Sequence, residues 1–422
     1  MVLSVVIFIL TYAMIISDRF NKAAVALLGA SLMIFTGILS QGKAVDNIDF
    51  NTIGLLIGMM IIVAISQKTG MFQYVAIKSV KFVKGEPWWI LVMLSLITVC
   101  FSALLDNVTS VLLIVPITLL ITDELKITPY PFLFTEIFAA NIGGAATLIG
   151  DPPNIMIGSA TGLTFMDFII NVAPIIPIIF IATIIPIKFI FGKQLIVEER
   201  LKQGIMRFNE NEAIRDIVLL KKSLIVMGIV MLGFIFQRQI HMEPATIAMS
   251  GAVVLLLLSG ENLSELFKEV EWNTIFFFVG LFIIVAGIRE TGLITLMAER
   301  VISMTGGDMV KTAFAITWMS ALASSFMDNI PFVATMIPMI QDIGRITGNP
   351  EAIEPLWWAL SLGACLGGNG TLIGASANVI VAGFLERSGN KISFLEYMKL
   401  AIPLMLLSIV ISWIYLYLRY FI

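Results

Sequence analysis

The sequence predicts an all-α polytopic membrane protein made of two inverted repeats of five transmembrane spans. Three observations predict this class: an apolar composition, an internal repeat at constant spacing, and two glycine-rich interruptions within apolar sequence. Hydrophobic residues make up 59% of the 422 residues and charged residues 13%, whereas soluble domains average about 45–50% apolar and ~25% charged residues. The formal net charge of −3 indicates no nucleic-acid partner, and we expect the chain to lie in a lipid bilayer.

The first half, residues 1–191, contains five predicted spans and one helix at the membrane interface. A helix needs about 20 apolar residues to cross ~30 Å of hydrocarbon. One run is much longer and has a polar centre at Asp106–Ser110, which predicts a re-entrant hairpin with two half-length legs. The runs are Leu3–Ile16, Ala23–Leu39, Ile53–Ser66, the interfacial Tyr74–Val83, the hairpin Trp88–Ile121, the interrupted pair Phe132–Ala140 and Ile155–Ala160, and Ile169–Phe191.

A hydrophilic connection, 192–222, separates this half from a second one, 223–422, in which the same order recurs. The second hairpin bends at Asp328-Asn329, as the first bends at Asp106-Asn107. The runs are Ser223–Phe236, Ala245–Leu258, Ile275–Gly287, the interfacial Leu293–Met304, the hairpin Val310–Ile340, the interrupted Pro355–Phe384 and the last span Leu400–Ile422.

The two halves match at a constant spacing through polar as well as apolar positions. Asp49–Ile53 matches Glu271–Ile275, and the two hairpin bends match, all at 222 residues. After a two-residue insertion the spacing becomes 224: Gly143, Thr147, Gly150 and Asn154 match Gly367, Thr371, Gly374 and Asn378. Chance similarity between two apolar segments would not keep one spacing through polar landmarks, so we interpret the halves as repeats.

The interruptions Gly143–Asn154 and Gly367–Asn378 cannot be continuous helix. Their glycines lower helix propensity, and Pro152-Pro153 removes two amide donors from the first of them. Inside a bilayer, broken backbone is tolerated only where it is buried in protein or lines a water-filled cavity. Paired interruptions in corresponding places of two halves indicate a transporter's substrate site.

Two hairpin bends and two interruptions that enter from opposite faces should meet near the midplane. Intramembrane acids are unfavourable there, and they mark ion paths or proton relays. The substrate- or ion-binding candidates are Asp106, Asn107, Thr147, Asp151, Asn154, Asp328, Asn329, Asn369, Thr371, Ser376 and Asn378. The proton-coupling candidates are Glu136, Asp106, Asp328 and Asp151, and a Na⁺ site is predicted at Asp106, Asn107, Asp328 and Asn329.

These acids also have structural interpretations, which stay open at this point. Asp106 and Asp328 could each cap the second leg of its own hairpin, and Asp151 could cap the helix after Pro152-Pro153. Glu136 could face a structural partner. Neither bend and neither interruption contains a lysine or arginine. Because a like-charge contact at ~5 Å costs about 3 kcal/mol at an effective dielectric near 20, a base-free site requires protonated acids or a cationic or neutral ligand.

Other chemistry is sparse. The chain has two cysteines and one histidine, and we find no paired metal set, nucleotide loop or nucleophile–base pair. We therefore expect neither an enzyme nor a cofactor. Cys365 beside the second interruption is expected to be a buried small apolar residue, with a soft-metalloid ligand as the alternative.

Topology follows from inversion and from the positive-inside rule. If 192–222 is cytoplasmic, most of the 26 lysines and arginines fall in inner loops, Lys391 among them, and both termini lie outside. Met1–Ile16 lacks a basic n-region and a cleavage site, so we interpret it as a retained first helix.

The motifs at these positions resemble the ArsB/NhaD group of the ion-transporter superfamily, which includes arsenical-pump membrane proteins and the melanosomal P protein. The likeness covers nearly the whole chain and is carried by Phe101–Thr109, Asn141–Asn154, Ser324–Pro331 and Gly363–Asn378. It implies a scaffold (1–84 and 223–303), an elevator-type transport domain (86–191 and 307–422), and a homodimer formed through the scaffold. Dicarboxylate-transporting relatives carry Ser-Asn-Thr at the hairpin tips. Here Asp106 and Asp328 replace the serine, which disfavours di- and tricarboxylates.

The leading functional hypothesis is a secondary active transporter in the plasma membrane that carries a small inorganic solute and resembles an arsenite or antimonite permease coupled to H⁺ or Na⁺. A Na⁺/H⁺ antiporter is the alternative, and an inorganic-anion or organic-anion (citrate-like) symporter is the third. An ATPase subunit, which some arsenical pumps have, is left open.

Overall fold

The computed structural model describes residues 2–17, 19–349, 351–389 and 393–422, and the regular structure of these residues is entirely helical. Lys391 and Met1 lie outside the described residues. The first-half helices are α1 (Val2–Ile16), α2 (Lys22–Phe35), α3 (Gln41–Asp46), α4 (Phe50–Lys68), α5 (Met71–Phe82), α6 (Pro87–Leu104), α7 (Asn107–Glu124), α8 (Tyr130–Ala145), α9 (Pro152–Thr161), α10 (Phe165–Asn171) and α11 (Ile176–Phe191).

The connection contains α12 (Glu199–Met206), and the second half repeats the series. Its helices are α13 (Ile217–Ile235), α14 (Gln237–Ile240), α15 (Pro244–Ser259), α16 (Leu263–Glu269), α17 (Trp272–Glu290), α18 (Leu293–Thr305), α19 (Met309–Phe326), α20 (Asn329–Thr347), α21 (Glu354–Gly367), α22 (Ser376–Arg387) and α23 (Phe394–Tyr420). Short 3₁₀ turns lie at Ala173–Ile175, Gly192–Gln194, Glu210–Ala213 and Gly368–Gly370.

The membrane character of the chain is evident in helix length and composition. Within the described ranges, seven helical segments are long and apolar enough to cross a membrane. Both legs of the first hairpin, α6 and α7, are among them, and each has 18 residues, or about 27 Å at 1.5 Å per residue. The expectation of half-length legs is therefore wrong, because each leg is nearly as long as the hydrocarbon layer is thick.

The connection is also shorter than predicted, since α13 begins at Ile217 and not at Ser223. Asp216 caps this helix by accepting hydrogen bonds from the amides of Val218 and Leu219, each at 2.9 Å. This cap stabilises the charged turn that contains Lys221 and Lys222 as part of the helix. The apolar run begins only after these lysines, so it could not reveal where the helix starts.

Two helix pairs join the halves, and two further pairs repeat within them. Helix α4 of the first half packs against α15 of the second, and α17 of the second packs against α2 of the first. Within each half, the first hairpin leg packs against the helix that precedes the interruption, α6 on α8 and α19 on α21. Each hairpin therefore packs against the helix that leads into the interruption of its own half, and this packing places the hairpin tips beside the interruptions.

The connection docks on one face of the helical body. Lys81 on α5 pairs with Glu210 at 2.5 Å, Lys202 pairs with Glu86 at 2.6 Å, and the amide of Arg215 donates to the carbonyl of Thr69 at 3.0 Å. Gly70 makes this contact feasible, because its φ is +81° and an added Cβ would lie 1.7 Å from the Ala213 carbonyl oxygen. This face also carries the ion pair between Lys68 and Glu261, at 2.5 Å.

Candidate functional site

The two hairpin tips have the same local structure. Asp106 precedes α7 and accepts from the amide of Thr109 at 2.7 Å and from its hydroxyl at 2.5 Å. Asp328 precedes α20 and accepts from the amide of Ile330 at 3.2 Å. The aspartates therefore do cap the second legs, since an N-terminal turn needs acceptors for its free amides.

The two interruptions are closed by matched hydrogen bonds. The Thr147 hydroxyl donates to the Ala103 carbonyl at 2.6 Å, and the Thr371 hydroxyl donates to the Ser325 carbonyl. Asn154 Nδ2 donates to the carbonyl of Thr147 at 2.9 Å, and Asn378 Nδ2 donates to that of Thr371, also at 2.9 Å. Each interruption is thus fastened to its hairpin by a threonine and closed on itself by an asparagine.

Close backbone approach between hairpin and interruption requires glycine at two matched positions. A Cβ on Gly143 would lie 2.3 Å from the Val99 carbonyl oxygen, and one on Gly367 would lie 2.6 Å from the Ala321 carbonyl oxygen. Ser102 and Ser324 add matched bonds, their hydroxyls donating to the carbonyls of Ala140 and Ala364 at 2.6 Å each. The glycine-rich sequence therefore builds the frame of the site.

A cavity of about 280 Å³ lies where the two hairpin tips meet the interruptions and the beginnings of α2 and α17. The structure brings six predicted residues together on its wall: Asp106, Asn107, Asp151, Asp328, Asn329 and Ser376. The four residues of the predicted Na⁺ site are all in this set. Their roles as ligands stay predictions, but the predicted meeting of bends and interruptions is what the structure displays.

Asp151 faces this cavity and does not cap its helix. It precedes α9 without a side-chain capping bond and is only 1% exposed. Its carboxylate accepts from Asn329 Nδ2 at 3.1 and 3.2 Å. The capping interpretation of Asp151 is therefore wrong: the first interruption presents its acid to the tip of the opposite half's hairpin.

The remaining predicted site residues do not line the cavity. Thr147, Thr371, Asn154 and Asn378 make the backbone bonds described above, and Asn369 is buried behind them. Glu136 is buried on α8, where it accepts from the Thr118 hydroxyl at 2.5 Å through one oxygen, while its other oxygen has no hydrogen-bond partner among the described residues. Its proton-coupling role stays a prediction, and its position is separate from the cavity wall.

A buried amide cluster connects the two interruptions. Asn141 Nδ2 donates to the Oδ1 atoms of Asn369 and Asn378 at 2.9 and 3.0 Å, and Asn107 Nδ2 donates to Asn141 Oδ1 at 3.2 Å. Sequence reasoning missed Asn141 as a site residue, although it begins Asn141–Asn154, one of the motifs that carry the family resemblance. Cys365 is fully buried, as expected of a small apolar residue, and its thiol lies 3.6 Å from Asn154 Oδ1.

The expectation of a cavity without a base is wrong. Lys22 at the start of α2 reaches Asp328, with Nζ 3.1 Å from Oδ2, and it lines the cavity. The same Oδ2 accepts from the Ser376 hydroxyl at 2.9 Å. Lys22 could not be predicted from the bends and interruptions alone. It lies more than 300 residues from Asp328 and precedes an apolar run that contains no break.

A fourth carboxylate, Glu271, was also missed. It stands just before α17 and lines the cavity together with Asn273 and Thr274. Glu271 matches Asp49 in the repeat. Because it lies at the edge of an apolar run, however, the sequence did not indicate that its side chain faces the interior. In the part of the chain that the structure describes, the wall thus holds Asp106, Asp151, Glu271 and Asp328 together with one lysine, Lys22.

The cavity opens toward the face that carries the connection. A wider space of about 520 Å³ shares Lys22, Glu271 and Ser376 with the cavity and is bounded by Trp272 and Val379. Trp272 begins α17, which follows Glu261 after the short α16, and α16 packs on α4. Since Glu261 pairs with Lys68 on the connection's face, the opening lies on that face as well.

Residues 12–363 match the family model described as "Citrate transporter". The chain belongs to this family. An uncharacterized transporter of Mycobacterium tuberculosis is 43% identical over 425 residues, covering 100% of this chain and 99% of that protein. The human P protein is 34% identical over 490 residues and covers 96% of this chain, which spans 58% of the P protein.

The fold of this citrate transporter family member also matches a solved structure. The Alcanivorax borkumensis YdaH transporter, described as having an unusual topology, aligns with a TM-score of 0.60 over 88% of this chain and 86% of that one, at 15% identity. The predicted likeness to transporters and to the P protein is confirmed. The chain is thus a multi-pass membrane transporter with an all-helical fold.

Proposed function

We propose that this protein is a cation-coupled secondary active transporter whose central cavity binds H⁺ or Na⁺, and that Na⁺/H⁺ exchange is the activity that the geometry supports best. One observation carries the proposal: among the described residues, four carboxylates and a single lysine line a cavity of about 280 Å³ at the meeting point of two hairpin tips. Intramembrane carboxylates are unfavourable and mark ion paths. Carboxylate and amide oxygens are also suitable ligands for hard cations.

Arsenite transport has less support from the geometry of the cavity than from the sequence alone. The arsenite hypothesis assumed a base-free site in which amides and hydroxyls would bind a neutral solute. In the structure Asn329 and Ser376 donate to carboxylates, and Cys365 is buried behind Asn154 rather than on the cavity wall. Arsenite or antimonite transport therefore stays a proposal of second rank.

Two-sided access is supported by a pair of matched depressions. One, of about 270 Å³, adjoins the cavity and is lined by Met60, Val63, Ala64, Gln67, Leu112 and Glu271. The other, of about 330 Å³, is lined by residues at matching repeat positions: Phe282, Val285, Ala286, Arg289, Ala334 and Asp49. The second lies at the N-terminal end of α4, whose C-terminal end Lys68 is on the connection's face. We infer inverted repeats that open in turn to opposite faces.

The other parts of the proposed mechanism follow from the family resemblance. The scaffold would comprise 1–84 and 223–303, and the elevator-type moving part 86–191 and 307–422. A homodimer would form through the scaffold in the plasma membrane, with the connection cytoplasmic and both termini outside. An ATPase subunit stays open.

The direct test is ion exchange by purified protein in liposomes that contain a pH-sensitive dye. An imposed Na⁺ gradient should alkalinise or acidify the lumen with saturable kinetics, and choline should not replace Na⁺. D151N should lower this exchange at least ~30-fold, whereas D167N, whose carboxylate pairs with the exposed Arg238 outside the cavity, should retain it. Parallel uptake of labelled arsenite tests the second-rank proposal. Absence of Na⁺- or H⁺-coupled flux from folded protein would overturn the cation proposal.

Citrate is the third candidate, and Lys22 is the observation that favours it. An ammonium in the cavity gives an anion a point of attachment that the hairpin tips lack, and the family model's description names citrate. The four acids oppose a citrate ion by charge, so citrate transport would require bound protons or cations. Uptake of labelled citrate that depends on a cation gradient would support this candidate over simple exchange.

A further inference from the structure

The ion pair between Lys22 and Asp328 joins two separate parts of the site. Asp328 stands at the second hairpin tip, and its side chain is 4% exposed, whereas that of Lys22 is 26% exposed. Of the described residues that line the cavity, Lys22 is the only lysine or arginine. Its ammonium therefore neutralises part of an acid-rich wall, at a carboxylate that also accepts from Ser376.

Helix stability alone does not explain a lysine at this position. Lys22 is the first residue of α2, where the positive end of the helix dipole disfavours a cation. The helix is nonetheless well anchored there. Asn21 caps it by accepting from the Ala24 amide at 3.0 Å, and Asn21 Nδ2 donates to Asn273 Oδ1 on α17 at 3.3 Å. These contacts hold the backbone of Lys22 at the cavity rim, within reach of Asp328.

A lysine ammonium is a compact, strongly hydrated, monovalent charge, and Na⁺ shares these properties. We propose that Lys22 competes with the transported monovalent cation for Asp328, so that the cation displaces the ammonium when it binds, and that this competition selects monovalent over divalent ions. The inference deepens the proposed function and rests on it. When one monovalent cation replaces another beside Asp328, the charge adjoining this carboxylate is unchanged, whereas a divalent ion would raise it by one.

The competition also has a structural consequence. Lys22 belongs to the proposed scaffold and Asp328 to the proposed moving part. While they are paired, the second hairpin tip is held to α2. Once a cation occupies Asp328, that tie is released, and occupancy of the site is thereby linked to freedom of the hairpin.

The experiment measures thermal unfolding of the full-length protein in detergent as NaCl is raised, with N-methyl-D-glucamine chloride keeping ionic strength constant. Competition predicts that K22Q lowers the half-saturating Na⁺ concentration by about tenfold, equivalent to ~1.4 kcal/mol. K22R, which keeps the charge, should give a half-saturating concentration equal to or above the native one. D328N should lose the Na⁺-dependent shift. The matched control is K43Q, which breaks an exposed pair between Lys43 and Glu290 at 2.8 Å and should change nothing.

A second titration with MgCl₂ tests selectivity. The native protein should show little Mg²⁺-dependent shift, and K22Q, whose cavity is more negative by one charge, should gain one. Equal Na⁺ half-saturation in the native protein and K22Q would overturn the inference, as would a lower value in K22R. Loss of a citrate-dependent shift in K22Q with unaltered Na⁺ binding would also overturn it, because Lys22 would then be an anion ligand. Absence of any Na⁺ shift in both proteins would count against the proposed function itself.

Discussion

Asn154 and Asn378 occupy matching positions in the two halves and donate to matching carbonyls, whereas the residue before α9 is Asp151 and its counterpart before α22 is Ala375. The same contrast recurs elsewhere at the site. Lys22 stands opposite Pro244 in the repeat, and Ser376 opposite Pro152. Matched residues close the interruptions, while several unmatched residues supply the charge and hydrogen bonding of the cavity wall.

This contrast separates the repeated motifs that form the frame of the site from the residues that supply its chemistry. A duplicated frame needs the same glycines, threonines and asparagines twice, because each half has to break a helix and fasten it to a hairpin. The cavity exists once, so its chemistry does not have to be duplicated. Asp106 and Asp328 are the intermediate case: both cap their hairpin legs and both line the cavity, but only Asp328 is paired with Lys22.

We expect the strongest loss of transport when the unmatched acid, Asp151, is replaced. D151N removes the charge that accepts from Asn329 at 3.1 and 3.2 Å. Because loss of one partner of a buried charged hydrogen bond costs about 2–5 kcal/mol, we expect cation-coupled flux in liposomes to fall at least ~30-fold, with normal elution in gel filtration. D167N, an acid paired with Arg238 on the surface at 2.9 Å, is the matched control. Full flux in D151N would show that the asymmetry is not functional.

The same contrast explains which parts of the fold and of the site could be predicted from the sequence. The constant spacing through Asp106 and Asp328, and through Gly143 and Gly367, was sufficient to predict the order of helices, both bends and both interruptions, because these features repeat and break helix periodicity. It also predicted that Asp151 would join the hairpin tips. Glycine and proline at an interruption are local features, and sequence reasoning is strongest for them.

Lys22 and Glu271 could not be found in that way. Each lies at the start of an ordinary apolar helix, and each reaches the cavity only because α2 and α17 pack together across the two halves. Asn141 lies inside a helix, where no break marks it. Thr147 and Asn154 were predicted as ligands because a polar residue near an interruption can either bind a ligand or bond the broken backbone. Only its hydrogen-bond partners in the structure distinguish these two roles.

The matched glycines test the frame. G143A and G367A each place a Cβ within 2.6 Å of a backbone carbonyl oxygen, and overpacking of this kind costs about 1–3 kcal/mol. We expect similar losses of thermal stability in the two variants, since the contacts are equivalent. G383A, where an added Cβ meets nothing within 4 Å, should be neutral or slightly stabilising because alanine favours helix. Unequal effects of G143A and G367A would weaken the view that the halves share one frame.

The matched threonines test the same frame through its hydrogen bonds. T147V and T371V remove hydroxyls that donate to the carbonyls of Ala103 and Ser325. Each buried carbonyl then loses a donor, so we expect about 1–3 kcal/mol of destabilisation in each variant. The half-saturating Na⁺ concentration should stay near its native value, because neither threonine lines the cavity. A large change in Na⁺ affinity at unchanged stability would return these residues to the ligand set.

A weaker effect is expected at the periphery, where the connection docks on α5. The counterpart helix α18 has Ser303 in place of Lys81. The hydrogen bond from Lys81 lowers the pKa of Glu210 below its usual range. A lowered carboxyl pKa contributes stability above the unfolded-state value, and that contribution is lost as pH falls through the folded-state value. Amide exchange of 209–215, corrected for its intrinsic pH dependence, should therefore rise on acidification below about pH 4.5 in the native protein. In E210Q it should be faster already near neutral pH and show no such rise, because the ion pair is absent throughout; identical profiles would mean that the Arg215–Thr69 backbone contact alone holds the connection in place.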